Sequence, residues 1–220
     1  MTQAERRAFI RARTAPATVP LVPELTLYQA TELTPLWHAT AAALAGADPA
    51  PFWAFAWAGG QALARYVLDH PELVRGREVL DFASGSGLVA IAAARAGAAH
   101  VVAGDHDAFC EAAVRLNSEL NHVEVAFRPG DPTGDPLEGV DVVLAGDVFY
   151  EEPLARGTLA WFGRLAARGA RALVGDPGRI YSPQAGLVEL AAYLVPTSPE
   201  IERGSSLRAR VLEVPPSPPR

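Results

Sequence analysis

Cysteine, long apolar runs and excess positive charge are all scarce in this 220-residue chain. A single cysteine, Cys110, excludes an intrachain disulfide and a cysteine zinc site. Because it lies inside a helical pattern, it reads as a buried, inert thiol. No uninterrupted stretch of ~18 or more apolar residues occurs, so no membrane-spanning helix and no membrane partner are expected. The formal charge of −6 argues against non-specific nucleic-acid binding. His38, His70, His100, His106 and His122 show no metal-ligand spacing, and no nucleophile elbow accompanies them. Internal repeats are missing as well. The stretch from Thr2 to Arg13 carries four arginines but lacks the apolar core of a signal peptide. It reads as a solvated helix or substrate-facing arm, with a transit peptide as the alternative. A cytoplasmic location is the expectation.

Half of the residues are hydrophobic, enough for a sizeable core. From residue 78 the pattern alternates strand and helix, which implies an α/β fold: a parallel sheet with helices on both faces. Strands are predicted over 78–82, 100–104, 123–128, 141–145 and 170–175, and helices over 60–70, 88–96, 108–120 and 153–167. A further helix is predicted over 183–194, followed by two short strands around 200–202 and 207–213 with a turn at Arg203-Gly204-Ser205-Ser206. The chain divides into an N-terminal arm and helical extension (1–50), a ligand-binding domain (51–214) and a proline-rich disordered tail (215–220).

The run Val79-Leu80-Asp81-Phe82-Ala83-Ser84-Gly85-Ser86-Gly87-Leu88-Val89-Ala90 carries the chemistry. It reads as a buried strand, a tight Gly-Ser-Gly turn and a helix start, where bare N–H groups meet a ligand. Gly85-Ser86-Gly87-Leu88-Val89-Ala90 also fits the dinucleotide fingerprint G-x-G-x-x-A. Asp81 separates the readings. A pyrophosphate at this turn would face a like charge in a low-dielectric crevice. A ligand with an ammonium and a sulfonium finds a partner there, which points to S-adenosylmethionine. Asp105 closes the next strand, twenty residues after Gly85, and suits the two hydroxyls of an adenosine ribose. His106, beside it, is expected to flank the adenosine.

At Asp81, Gly85 and Gly87 the sequence resembles the class I methyltransferases, whose first motif runs D-x-G-x-G-x-G. Ala83 replaces the first glycine, and alanine tolerates positive φ less well. The resemblance implies a Rossmann-like sheet of five parallel strands ending in an antiparallel hairpin. It also implies that Asp131 meets the adenine.

A second motif, Asp147-Val148-Phe149-Tyr150, looks like the D-x-x-Y of a group of protein lysine methyltransferases. With Pro51-Phe52-Trp53, Trp57-Ala58-Gly59-Gly60-Gln61-Ala62-Leu63 and Gly146 to Glu152, it is most similar to the electron transfer flavoprotein β-subunit lysine methyltransferase family. The likeness covers roughly residues 25 to 214. It implies a protein partner, with that β subunit as first candidate, and leaves the oligomeric state open. Asp147, at the end of its strand, should share the crevice with Asp81, orienting amine and cofactor rather than acting as a strong base. Tyr150 would bond the amine or lay its ring against the growing methylammonium. A helix cap for Asp147 and a core place for Tyr150 are the plainer readings. Trp53 and Trp57 belong either to the core or to the wall of the cofactor and acceptor site. The alternatives are a small-molecule N-methyltransferase acting on a nicotinamide-like amine, a nicotinamide-binding oxidoreductase, or a scaffold without turnover.

Overall fold

The computed structural model describes residues 1–43, 50–202 and 204–217. Thr2 opens α1 (Gln3–Arg13) with a capping box: its side chain accepts from the Glu5 N–H, and Glu5 reaches back to the Thr2 N–H. A hairpin of β1 (Ala15–Val19) and β2 (Val22–Gln29) follows, then α2 (Leu33–Ala43) and α3 (Ala58–Asp69). The alternating part contains β3 (Glu78–Phe82), α4 (Leu88–Arg95), β4 (His100–Asp105), α5 (Ala108–Asn121), β5 (Ala126–Pro129), β6 (Val142–Gly146), α6 (Glu152–Ala166) and β7 (Arg171–Asp176). It ends in β8 (Val188–Pro196) and β9 (Ser206–Glu213).

The seven-stranded sheet runs β5-β4-β3-β6-β7-β9-β8. Strands β3 to β7 are parallel, and β9 and β8 close the edge antiparallel, the arrangement the resemblance implies. Side chains alternate between faces as the strand period requires. Val79, Val101, Val142, Leu144 and Leu173 pack under α3 and α4. Leu80, Phe82, Val143, Ala145, Ala172 and Val174 pack under α6, around Trp161 and Phe162. β3 has β4 on one side and β6 on the other, so the chain reverses its winding there and opens a crevice at the strands' carboxyl ends.

Two expectations fail in the last third. Residues 188–196 form strand β8, not a helix. Apolar residues on both parities there (Val188, Leu190, Ala192, Leu194 against Tyr193, Val195) imitate a helical run. The hydrogen bonds that make it a strand come from β9, a partner no local pattern reveals. Ile201 and Glu202 sit in the β8–β9 connection, where both backbone N–H groups donate to the Ser198 carbonyl, so no strand forms around 200–202.

Residues 1–43 pack against the rest of the chain. Ile10 is fully buried, the Phe9 and Phe109 rings lie 5.4 Å apart, and Arg7 pairs with Glu119 of α5 at 2.6 Å. Buried Asn117 and Asn121 on α5 accept the Tyr28 and Thr26 N–H groups at 2.8 and 3.1 Å, serving as the missing neighbour of β2. At the other end, the Ser217 N–H donates to the Gly163 carbonyl; residues 218–220 of the expected tail and Arg203 of the expected turn lie outside the described residues.

Candidate functional site

The turn after β3 takes a left-handed path at Ala83 (φ 53°), Gly85 (φ 51°) and Gly87 (φ 80°). Alanine keeps the glycine geometry at Ala83, at a cost of roughly 1–2 kcal/mol for a side chain in that region. A Cβ at Gly87 would meet Val114 Cγ2 at 2.9 Å, so glycine lets α5 close on the turn.

Asp81 is 1 % exposed, and its Oδ2 accepts the Ala90 N–H at 2.9 Å in the first turn of α4. Burial raises its carboxyl to about 8, with the Asp105 charge adding to the rise. It therefore holds a proton at neutral pH until a cation arrives to favour the carboxylate. Asp105 is pinned by backbone on both oxygens: Gly85 N–H donates to Oδ2 and Asp107 N–H to Oδ1, each at 3.0 Å. Each oxygen has a second lone pair for a ligand hydroxyl. His106 lies beside it, largely in solvent, with Nδ1 3.8 Å from Asp105 Oδ1. Asp131 accepts the Thr133 N–H at 2.8 Å at the outer rim. Cys110 borders the space with its thiol raised by burial, as an inert thiol would be.

The opposite end is built by α3 crossing the ends of β6 and β7. A Cβ on Gly59 would collide with the Gly175 carbonyl, and one on Gly146 would come within 2.8 Å of Gly60 Cα. The Gly-Gly of the tryptophan motif thus lets the positive end of α3 reach Asp147, whose Oδ2 accepts the Gly60 N–H at 2.9 Å. Asp147 itself has φ 59°, a region aspartate enters more readily than most residues. Its Oδ1 accepts from Arg179 Nε at 2.9 Å and Nη2 at 2.6 Å. Burial lifts the Asp147 carboxyl to about 6 against the pull of Arg179. Glu202, 8 % exposed, accepts the Ala58 N–H at 2.9 Å and places Oε2 3.0 Å from Arg179 Nη1.

Aromatic side chains wall this end. The Trp57 Nε1–H donates to the Phe52 carbonyl at 2.9 Å, and Arg179 Cζ stands 5.7 Å from the Trp57 ring centre. Tyr150 packs its ring 5.3 Å from Phe52 and is 36 % exposed, so it edges the crevice rather than the core. Burial pushes its phenol up to about 12. Trp53 separates from Trp57: it is fully buried, stacked on Phe109 at 5.3 Å.

One cavity of about 400 Å³ joins the two ends and is lined by eight of the nine residues predicted from sequence, Gly87 excepted. Among the described residues, no group of three or more His, Cys, Asp or Glu could hold a metal ion. The lining fits S-adenosylmethionine better than a pyrophosphate. Asp81 and Asp105 dominate the glycine-turn end, and the Ser84 Oγ there is buried without a partner. Sequence reasoning missed Ser84, Arg179 and Glu202. Arg179 had one available signal: it follows the end of the strand beside β6, in Asp176-Pro177-Gly178-Arg179.

Known proteins resemble the chain over this same region. The ribosomal protein L11 methyltransferase (PrmA) family matches residues 61–147. An electron transfer flavoprotein beta subunit lysine methyltransferase of Xenopus laevis is 38 % identical over 175 residues, covering 79 % of this chain and 70 % of that protein. The protein of that name from Danio rerio is 41 % identical over 156 residues, 68 % of this chain and 60 % of its own length. Among solved structures, magnesium protoporphyrin IX methyltransferase of Synechocystis with bound S-adenosylmethionine superposes with a TM-score of 0.51 at 18 % identity, covering 70 % of this chain and 77 % of that one. It shares the fold.

Proposed function

The chain belongs to the electron transfer flavoprotein beta subunit lysine methyltransferase family, and we propose that it methylates lysine on that flavoprotein subunit. The methyl donor is S-adenosylmethionine. When bound, it supplies an electrophilic methyl group on a sulfonium sulfur. Asp81 and Ser84 would hold its charged amino-acid end and Asp105 the ribose hydroxyls, with His106 and Asp131 toward the base. Trp57 walls the cleft between the two ends.

The observation that carries the reading is Asp147, a buried carboxylate with fixed geometry at the end of the cavity away from Asp105. An in-line displacement demands that nucleophile, methyl and leaving sulfur be aligned in a water-poor site. Asp147 positions the lysine nitrogen, and the Tyr150 ring offers a cation–π face of ~0.5–2 kcal/mol to the methylammonium that forms. Exposed Phe52, Tyr150, Ile180 and Tyr181 gather at this end, where the Tyr181 N–H donates to the Phe149 carbonyl. Such an apolar rim suits a folded protein surface.

The test mixes enzyme, labelled cofactor and purified flavoprotein, then maps methyl groups by mass spectrometry. The enzyme contains no lysine, all 19 of its Lys and Arg positions being arginine, so every methyl-lysine reports on the substrate. Label on β-subunit lysines, lost with Asp147→Asn, is the expected result. Label confined to small amines such as nicotinamide, or to ribosomal protein L11 in a parallel reaction, would replace the flavoprotein with that acceptor.

A further inference from the structure

Arg179 places a fixed cation at the point where a second cation has to arrive. Its backbone N–H is tied to Asp176 Oδ1 at 3.1 Å. Its guanidinium bonds Asp147 through Nε and Nη2, pairs with Glu202 through Nη1, and lies over Trp57. Three separate loops and α3 therefore hold one guanidinium in one place.

Charge accounting shows what such a cluster does to a lysine. Asp147, Glu202 and Arg179 sum to one negative charge when both acids are ionised, enough to draw in an ammonium. An ammonium cannot react, because its lone pair carries a proton, and only about one free lysine in a few thousand is neutral at pH 7. Without a counterweight, two buried carboxylates would hold the lysine charged and raise its pKa further.

We propose that Arg179 is a positioning residue for the acceptor: by saturating Asp147 Oδ1 and setting a fixed positive charge beside it, Arg179 leaves Asp147 able to orient a lysine amine while weakening its hold on the amine's proton. The inference rests on the lysine reading above. The N-terminus of α3, which meets Asp147 through the Gly60 N–H, acts in the same sense. The other groups around the acceptor end are accounted for. Glu151 borders the cavity in solvent, and the Tyr150 phenol stays neutral with its raised pKa. Asp176 is bonded to Ser182 and Arg210. Asp81 and Asp105 belong to the glycine-turn end. A competing role exists for the same geometry: a guanidinium seated on the acceptor carboxylate as a plug that lysine must displace.

The experiment compares Arg179→Met, Arg179→Lys and Glu202→Gln with the wild type on the flavoprotein. Wild-type turnover, measured first, tests the lysine reading by itself. For each variant the pH profile of kcat, KM for the flavoprotein, its Kd by calorimetry and the Kd of S-adenosylhomocysteine are read. In Arg179→Met the rise of kcat with pH should move up by about one unit, the size of shift a neighbouring charge produces. At neutral pH kcat then falls about tenfold and recovers in alkali, while KM and Kd for the flavoprotein hold or tighten. Glu202→Gln, which can still accept the Ala58 N–H, should move the profile the opposite way, and Arg179→Lys should keep most activity. Affinity for S-adenosylhomocysteine should stay unchanged in all three. Faster turnover in Arg179→Met with no movement of the profile would make Arg179 a plug. An equal loss at every pH, with weakened S-adenosylhomocysteine binding, would make it purely structural. Either result overturns the proposal, and the opposite shift in Glu202→Gln keeps it testable should the methionine variant misfold.

Discussion

The two ends of the cleft bury carboxylates for opposite purposes. At the glycine-turn end, Asp81 and Asp105 accept backbone N–H groups, with the His106 ring 3.8 Å from Asp105, and burial keeps a proton on Asp81. Among the described residues no guanidinium is bonded to either acid, which leaves room for a cationic ligand. At the acceptor end, Asp147 already has a guanidinium and a helix N-terminus on it, so its carboxylate forms at a lower pH than Asp81's. An unpaired buried acid favours a cationic ligand, whereas a paired one serves as a rigid reference for a ligand that has to react uncharged.

The largest effect that would break this contrast belongs to Asp147. Asp147→Asn keeps a residue type at home at positive φ and can still accept the Gly60 N–H. It loses the charge that fixes Arg179, so methyl transfer should drop by about 10²-fold, the scale of a misplaced reacting group. Isothermal calorimetry should show S-adenosylhomocysteine affinity intact. Normal turnover would reduce Asp147 to a cap on α3.

Next in size is Asp105→Ala, at the other end. It removes charge-assisted hydrogen bonds to the ribose, worth about 1.5–3 kcal/mol, and should weaken S-adenosylhomocysteine by that amount. The same carboxylate pins the Gly85 and Asp107 N–H groups, so Asp105→Asn, which keeps an acceptor, should recover part of the loss. Equal binding by all three proteins would remove Asp105 from the ribose site.

The smallest effect sharpens the comparison through pH. Asp81 ionises near 3.8 in an unfolded chain and near 8 when folded without ligand. Between those values the folded state binds the extra proton, so ligand-free stability should fall as pH rises through that window. Asp81→Asn should flatten the slope and gain about 1 kcal/mol at neutral pH, seen as roughly 2–4 °C in Tm. In the native protein, binding of the cationic methyl donor should release a proton and strengthen from pH 6 to 8. Calorimetry in buffers of different ionisation enthalpy measures that proton. Binding with no proton release would place the ligand's cation away from Asp81.

What could be read without coordinates was what lies close along the chain. Asp81, Gly85 and Asp105 fall within one strand-helix-strand unit, where turn and strand end follow directly from local spacing, and their common crevice follows from topology. The Trp57-to-Gly60 and Asp147-to-Tyr150 motifs were equally visible, but as two separate facts. Only folding shows they are one device, in which the bare Cα of Gly59 lets α3 come close enough for the Gly60 N–H to reach the aspartate. Other errors share one cause, hydrogen bonds supplied from far away. Strand β8 depends on β9, and the edge of β2 away from β1 depends on Asn117 and Asn121.

Sequence alone determined the βα pattern, the glycine turn and the acids at the strand ends, because strand period, turn conformation and strand-end chemistry are local properties. Tertiary structure decided that Arg179 and Glu202 converge on Asp147. They come from loops 32 residues after Asp147 and beyond β8, with no periodicity linking them. Their meeting is fixed by strand order in the sheet and by the close approach of α3 to Gly146 and Gly175, and a linear pattern carries neither distance.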